Sequence, residues 1–322
     1  MTSKVLLQNF FTKLYKVLEE ATSACKSDFI SLSGGLDSTI LAYYLKKRKI
    51  NAITVIANDF VATDLTYCQM VAKKFELPLE MNTVSTKDLL SAIEQTIKIL
   101  KVFNDIEIRN SVVMYLVLKY LKENGYNYLV TGDGADELFA GYSFFLKKNE
   151  KELRDDLERI WSIMHFPTNL LGKKMGITIE SPFLMKDVVE FAKNIPVNLL
   201  VKQEGDKKYG KWLLRKAFEE KIPKTIAWRD KSPMQDGAGT TGLSNLFESL
   251  ISEDQFNTSI KKIRETDDVI IQSKESFHYY EIFRKYYEAP NKLHSSSTIC
   301  PYCKYEVKLN TKFCRMCGSY PI

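Results

Sequence analysis

Two loops in this 322-residue chain gather side chains that could do chemistry on a phosphorylated ligand. The first is Ser33-Gly34-Gly35-Leu36-Asp37-Ser38-Thr39. Adjacent glycines let backbone approach a ligand closely, and hydroxyls with free N–H groups at a helix start favour an anion, most simply a polyphosphate. Asp37 repels such an anion unless a cation bridges the two, and Mg²⁺, which takes carboxylate and phosphate oxygens together, is the sensible cation. The plainer alternative is a turn that merely caps a helix. A Walker A loop is excluded, because no Gly-Lys-Ser/Thr ending follows. The second loop, Thr131-Gly132-Asp133-Gly134-Ala135-Asp136-Glu137, crowds acids at another helix start. Dipole capping accounts for one or two of them, but not readily for the glycines between. Beside the first loop, it reads as a second Mg²⁺ ligand and a general base, with Asp37 and Asp136 sharing the metal.

A third feature is a pair of Cys-x-x-Cys motifs, Cys300/Cys303 and Cys314/Cys317. In a reducing compartment this spacing reads as a four-thiolate Zn²⁺ ribbon, with Gly318 supplying the turn after the second pair. Cys25 and Cys68 stand alone and read as buried or idle thiols.

The elements that must position these loops follow from hydrophobic periodicity. An amphipathic helix over residues 3–25 (Val5, Leu6, Phe10, Leu14, Val17, Leu18) precedes the apolar run Phe29, Ile30, Leu32 that feeds the first loop. A strand follows at 52–57, a helix near 64–75, a strand near 79–83, helices at 87–103 and 108–124, and a strand at 128–130 that feeds the second loop. Strands alternating with helices predict a doubly wound parallel α/β sheet, whose ligands bind beyond the carboxyl ends of the strands. Residues 246–289 read as helical, with Phe277, Tyr279, Tyr280, Phe283, Tyr286 and Tyr287 forming a stripe suited to a core or a docking face. Pro290 to Thr298, with Ser295-Ser296-Ser297, reads as a linker. Hydrophobic content of 45% fits a soluble globular protein, and no apolar run reaches membrane-span length. The N-terminus lacks a signal-peptide layout, so a cytoplasmic location without membrane contact is expected. The net charge of +6 does not by itself indicate nucleic acid.

Taken together the motifs resemble the synthetase domain of the glutamine-dependent (class B type) asparagine synthetases, within the PP-loop ATP pyrophosphatases. The resemblance rests on S-G-G-L-D-S-T at 33–39, Ile108-Arg109, G-D-G-A-D-E-L-F-A-G-Y at 132–142 and S-P-F-L at 181–184. It continues through G-K-W-L-L-R-K-A-F at 210–218, A-W-R-D-K at 227–231 and D-G-A-G at 236–239. It covers roughly residues 3–245 and so implies a synthetase domain over 1–245, beyond which the residues themselves read as a helical extension over 246–289, a linker over 290–299 and the four-cysteine zinc ribbon over 300–322. It also implies a two-step reaction, in which ATP adenylates a carboxylate with loss of pyrophosphate and ammonia then displaces AMP to leave an amide. Carried over by position, Ser33, Gly34, Gly35 and Ser38 hold phosphates, and Asp37 and Asp136 hold Mg²⁺. The backbone near Ile56, with Thr131 and Gly132, holds the adenosine, and Lys231 joins the nucleotide set. Arg109 and Lys211 match the family's cations on pyrophosphate, the adenylate and the substrate carboxylate.

The chain also departs from the pattern. Asp133 stands where the family usually has Glu; a carboxylate one methylene shorter can still take a proton from ammonia. Met185 follows S-P-F-L where the family usually has Asp, which leaves aspartate itself open as the substrate. No glutaminase region precedes the first loop, and Thr2 stands where such a region would have its cysteine. The expectation is therefore ammonia from solution or from a separate glutaminase, with a small or carrier-bound carboxylate as acceptor. Lys292, Lys304, Lys308, Lys312 and Arg315 against Glu306 give the ribbon region a weak basic patch, suited to an acidic protein, a carrier or RNA, and equally to a stability role. Two other functions remain in view: a PP-loop enzyme that activates a tRNA base by adenylation, and a nucleotide-binding regulator without catalysis.

Overall fold

The computed structural model describes residues 3–59, 64–230, 238, 240, 242–293, 298–309 and 311–322. Five strands form one parallel sheet in the order β3-β2-β1-β4-β5: β1 Phe29–Ser31, β2 Asn51–Ala57, β3 Leu79–Val84, β4 Tyr128–Val130 and β5 Thr178–Glu180. The predicted α/β architecture is therefore present, with β5 as a strand that the periodicity did not announce. Helices α1 Ser3–Ser23, α2 Leu36–Leu45, α3 Leu65–Phe75, α4 Thr86–Leu100 and α5 Asp105–Glu123 alternate with the first four strands. Next come α6 Ala135–Leu138, α7 Glu150–Ile163, α8 Pro167–Met175, α9 Lys186–Lys193 and α10 Val197–Leu200. A hairpin of β6 Lys202–Glu204 and β7 Lys207–Tyr209 leads to α11 Trp212–Phe218 and α12 Lys224–Ala227. The C-terminal part holds α13 Gly242–Leu250, α14 Glu253–Asp267 and α15 Lys274–Tyr286.

Alternation along each strand assigns the two faces of the sheet. Ile30, Ala52 and Val130 join one cluster with Leu14 and Leu18 of α1, Ile40 and Leu41 of α2, and Phe218 of α11. Their neighbours Phe29, Ile53, Val55 and Leu129 join the other, with α4, α5, α8, α13 and α15. A period of two sends successive side chains to opposite layers, so these short strands are covered on both sides. Among the described residues no helix is long and apolar enough to cross a membrane.

Two element ends differ from the expected ones for local reasons. α4 stops at Leu100 because Lys101 turns left-handed, at φ +59°, and closes the helix through its N–H to Ile97 O. α5 starts at Asp105, earlier than expected, because Asn104 accepts the Glu107 N–H at 3.2 Å and Asp105 and Glu107 stand in the first turn.

The C-terminal cysteine module packs on the core, although the composition before it is that of a linker. Cys300, Cys303, Cys314 and Met316 are buried in the same cluster as Phe103, Tyr280 and Phe283. The Phe103 N–H donates to Met316 O at 2.9 Å, and the Ile270 N–H donates to Tyr302 O at 2.8 Å. Gly318, at φ +81°, lies so close to Asn104 that a Cβ there would stand 2.8 Å from its Oδ1. Most of the aromatic stripe is core as well, with Phe277, Tyr279, Tyr280 and Phe283 buried and Tyr286 at the edge. A chain ended at Ala289 should therefore lose stability, by about 1.5–3 kcal/mol for each large side chain it re-exposes. Urea unfolding of the two lengths checks this, and equal midpoints would show that the module merely hangs on the surface.

Candidate functional site

The sheet order reverses between β1 and β4, since β1 runs outward to β2 and β4 runs outward to β5. That is the switch point where doubly wound sheets open a crevice, and both chemistry-bearing loops leave the sheet there. In the first loop, Gly34 has φ +65°, and a Cβ on it would meet Tyr67 Cβ at 2.5 Å. Only glycine fits that position. Ser33 Oγ and Ser38 Oγ lie 3.1 Å apart, and the Gly35 N–H points at Ser33 Oγ at 3.3 Å. Gly35 offers α2 no capping side chain, so the first-turn N–H groups of α2 are left without a side-chain cap beside the two serine hydroxyls.

The second loop packs directly on the first. A Cβ on Gly132 would stand 3.3 Å from Asp37 Cβ, and Gly134, at φ +94°, tucks under Leu184. This contact brings Asp136 towards Asp37. Lys211, only 5% exposed, reaches between them, with Nζ 2.5 Å from Asp37 Oδ2 and 2.7 Å from Asp136 Oδ1. Burial alone would push the Lys211 pKa down; the two carboxylates outweigh it and hold the ammonium above the usual lysine value. Two glycines make room for this side chain. A Cβ on Gly141 would strike Asp136 Oδ1 at 1.9 Å and Lys211 Cε at 2.3 Å, and one on Gly210 would strike Ala140 O at 2.2 Å. Convergence of two hard oxygen donors on one small cation is the donor set that Mg²⁺ takes, so these residues fit that ion, with the ammonium marking its neighbourhood.

The other acids divide by their partners. Asp133 accepts from Thr131 Oγ1 at 3.0 Å, and Thr131 Oγ1 also lies 3.0 Å from Ser181 Oγ. Burial pushes the Asp133 carboxyl up to about 6, Glu137 and Asp136 add to the rise, and hydrogen bonds from Thr131 and Thr168 oppose it. Glu137 is engaged by the Tyr142 hydroxyl at 2.5 Å, and its carbonyl accepts from Trp161 Nε1 at 3.0 Å. It reads as part of the loop's frame.

Arg109 enters from the other layer. Its Nε lies 3.3 Å from Glu275 on α15, and its Nη2 lies 3.8 Å from Asp105. Val113 and Val117, on successive turns of the same face of α5, line a small cavity of about 30 Å³ with Ser33, Thr54, Asp64 and Ala238. Arg109 therefore stands one turn above that cavity. Ile56 is half-buried on β2 and is not among its lining residues; Thr54 and Val55 are. Lys231 lies outside the described residues. A broader cleft of about 620 Å³, lined by Leu7, Leu153, Val201 and Lys202, shares no residue with the crevice.

Two arginines inside the quoted motifs, to which no role was given, brace the constellation, as do two polar residues outside them. Arg229 pairs with Asp64 at 2.6 Å and stacks over Tyr67, 3.7 Å from the ring centre, bracing the β1 loop. Arg215, buried, donates to the carbonyls of Gly210, Ala227 and Arg229 at 2.8 Å and holds the start of α11. Thr168 and Glu275 carried no local signal beyond being polar residues at helix starts.

The four ribbon thiols converge, all Sγ atoms lying within 4.8 Å of one another. Cys300 and Cys317 are 3.8 Å apart, and Cys303 and Cys314 are 3.6 Å apart. A tetrahedron with Zn–S bonds of about 2.3 Å has edges of about 3.8 Å, so the thiols fit Zn²⁺. By contrast, burial raises the thiols of Cys25 and Cys68 to about 12, which leaves both inert.

Comparison with known proteins agrees with the geometry. The asparagine synthase family model matches residues 14–181 and 151–301. Asparagine synthetase B [glutamine-hydrolyzing] of Escherichia coli (strain K12) is 29% identical over 284 residues, covering 81% of this chain and 50% of that protein. The glutamine-hydrolyzing asparagine synthetases of Gallus gallus and Zea mays are 27% and 26% identical, each over 80% of this chain and 48% and 47% of theirs. The chain thus spans about half the length of the curated relatives it matches. Metal analysis of the purified chain should find one Zn²⁺ per molecule. Cys303→Ser should release it to a chelator at least about tenfold faster, as is typical when a metal shell is weakened, whereas Cys25→Ser and Cys68→Ser should not.

Proposed function

The chain belongs to the asparagine synthase family, and we propose that it is an ATP-dependent ligase that adenylates a carboxylate and passes ammonia to it, forming an amide with AMP and pyrophosphate. The observation that carries this reading is the clasp of Asp37 and Asp136 around Lys211 at the switch point of the sheet. A crevice offering hydroxyls, helix N–H groups, paired carboxylates and fixed cations suits a triphosphate whose pyrophosphate must leave.

Each residue then takes a role suited to its surroundings. Ser33, Gly34, Gly35 and Ser38 hold phosphate oxygens. Asp37 and Asp136 hold Mg²⁺, which when bound offsets charge on the polyphosphate. Lys211 and Arg109 supply fixed positive charge where negative charge builds on the leaving group, an arrangement that lowers the barrier because the donors need no reorganisation. Thr131 and Gly132 hold the adenosine, the role their positions take in the family pattern. Asp133 takes the proton that ammonia loses on attacking the adenylate, and Thr131 and Thr168 orient it. Met185 leaves the acceptor side without the acid that would suit aspartate, so the acceptor carboxylate is a matter for assay, as is the nitrogen source.

The ribbon supports a second reading of the acceptor. Leu309, Phe313 and Tyr320 are exposed on it beside Lys308, Lys312 and Arg315. Exposed apolar and basic residues in one module suit a carrier protein or RNA that brings the group to be modified.

The test is pyrophosphate release from MgATP across a panel of carboxylates, with ammonium and with glutamine. Asp37→Asn should lower release by about 10²-fold or more, the scale on which one fixed electrostatic partner acts, while circular dichroism stays native; near-normal turnover would refute the assignment. The pH dependence follows from Asp133. As a base it acts when ionised, and its raised pKa leaves half of it protonated near pH 6. The rate should therefore fall as pH drops through about 6 and level off above it. Asp133→Asn should remove that limb and cost roughly 10²–10⁴ in rate.

A further inference from the structure

Glu275 is a buried acid that the reaction above does not use. It sits in the first turn of α15, 3% exposed, in the helical region that followed the recognisable motifs. A carboxylate taken so far from water survives only when charge and hydrogen bonds compensate it. Two groups do so. Arg109 Nε stands 3.3 Å from Glu275 Oε1, and the Tyr279 hydroxyl donates to the same oxygen at 2.8 Å. Tyr279 is itself fully buried and meets the edge of Phe247 at 5.7 Å between ring centres, so the hydroxyl has one place to be.

The guanidinium is thereby held at one end. Glu275 lies against the Nε edge, the Nε–H also donates to Asp105 O one turn back at 3.4 Å, and the Asp105 carboxylate lies within 3.8 Å of Nη2. Arg109 O accepts from Thr240 Oγ1 at 3.3 Å, which fixes the backbone from the side of the crevice. An arginine side chain has several rotatable bonds, and a fork held at its base keeps its outer N–H groups on a defined line. Val113, one turn further along α5, lines the crevice cavity.

We propose that Glu275 is a positioning residue, which through its ion pair with Arg109, backed by Tyr279, holds that guanidinium in place to receive the leaving pyrophosphate. The proposal rests on the ligase reading for what Arg109 receives, but the orientation of Arg109 is a property of the chain alone. It gives the C-terminal helix a part in the site that its distance in sequence conceals.

Two measurements separate these layers. In protein carrying isotopically labelled arginine, the Arg109 side-chain Nε–H resonance should be sharp and slow to exchange. Glu275→Gln keeps the shape and the Tyr279 partner but removes the charge, and it should broaden that resonance or speed its exchange. The second measurement is calorimetric binding of magnesium pyrophosphate. Glu275→Gln should weaken it about tenfold, the scale of a hydrogen bond to a charged group, and should add nothing in an Arg109→Ala background. An unchanged resonance, or a loss that simply adds to that of Arg109→Ala, overturns the positioning role. If Arg109→Ala itself leaves pyrophosphate binding intact, the ligase assignment of Arg109 fails, and the resonance still decides what Glu275 does. Should Glu275→Gln not fold, Tyr279→Phe takes its place. It should broaden the same resonance and weaken pyrophosphate binding roughly two- to threefold, as loss of one neutral donor does; no change in either would overturn the proposal.

Discussion

A single ammonium between two carboxylates is the constraint around which this structure closes. Lys211 comes from the far end of the domain, after the β6–β7 hairpin, and meets Asp37 after β1 and Asp136 after β4. Burying a lysine costs several kcal/mol of lost hydration, and a lone partner seldom offsets it. With two carboxylates close by, the ammonium is stable and the loops cannot drift apart without exposing unbalanced charge. The contact therefore joins three distant segments into one site. Each carboxylate is also held by a partner that a bound Mg²⁺ would have to share.

The second layer of the molecule performs the corresponding task for Arg109. α5 is gripped at its start from two sides: Asn104 and Gly318 meet at one, and Phe103 packs edge-on to Tyr280 at 4.9 Å on the other. Behind these stands the four-thiol module, whose Met316 carbonyl accepts from Phe103. The ribbon is thus continuous with the core that carries the arginine. Its four-thiol cluster and α5, which lines the crevice through Val113 and Val117, lie in one hydrophobic core.

Legibility in the sequence followed the range of the interactions. The two glycine-rich loops were readable because their demands are local: Gly34 and Gly134 need positive φ, and the acids sit at a helix start. The cysteine pairs were readable because their spacing is local, and the four Sγ atoms do converge. The parallel sheet followed from alternating strands and helices, but β5, a three-residue strand, gave too short an apolar run to register. The docking of the ribbon on the core was hidden because Pro290 to Thr298 has the composition of a linker, while Met316 and Tyr302 are held by partners far away in sequence. Glu275 and Thr168 were invisible for the same reason. Each matters only through a residue on another helix or loop, and nothing in their neighbours announces it.

Most left-handed residues with a side chain close helix ends, as Lys49, Glu76, Lys101 and Asp268 do, but two stand in the site. Ala140, at φ +57°, and Lys211, at φ +54°, both adopt the left-handed conformation that residues with a Cβ avoid, at a cost of order 1–3 kcal/mol each. They face one another across the closest backbone approach in the site, where Gly210 lies against Ala140 O and Gly141 against Lys211 Cε. A glycine at either position would relieve the strain, yet it could not serve at 211, where the side chain itself is required. The Lys211 N–H donates to Phe139 O at 3.0 Å and the Gly141 N–H to Asp136 O at 2.8 Å, so each strained turn is pinned by its neighbour's hydrogen bond. Strain at Ala140 sets the direction of Gly141, and strain at Lys211 turns its side chain inward from the cap position just before α11. The left-handed pair is thus the local backbone geometry through which the chain brings a buried cation to two acids.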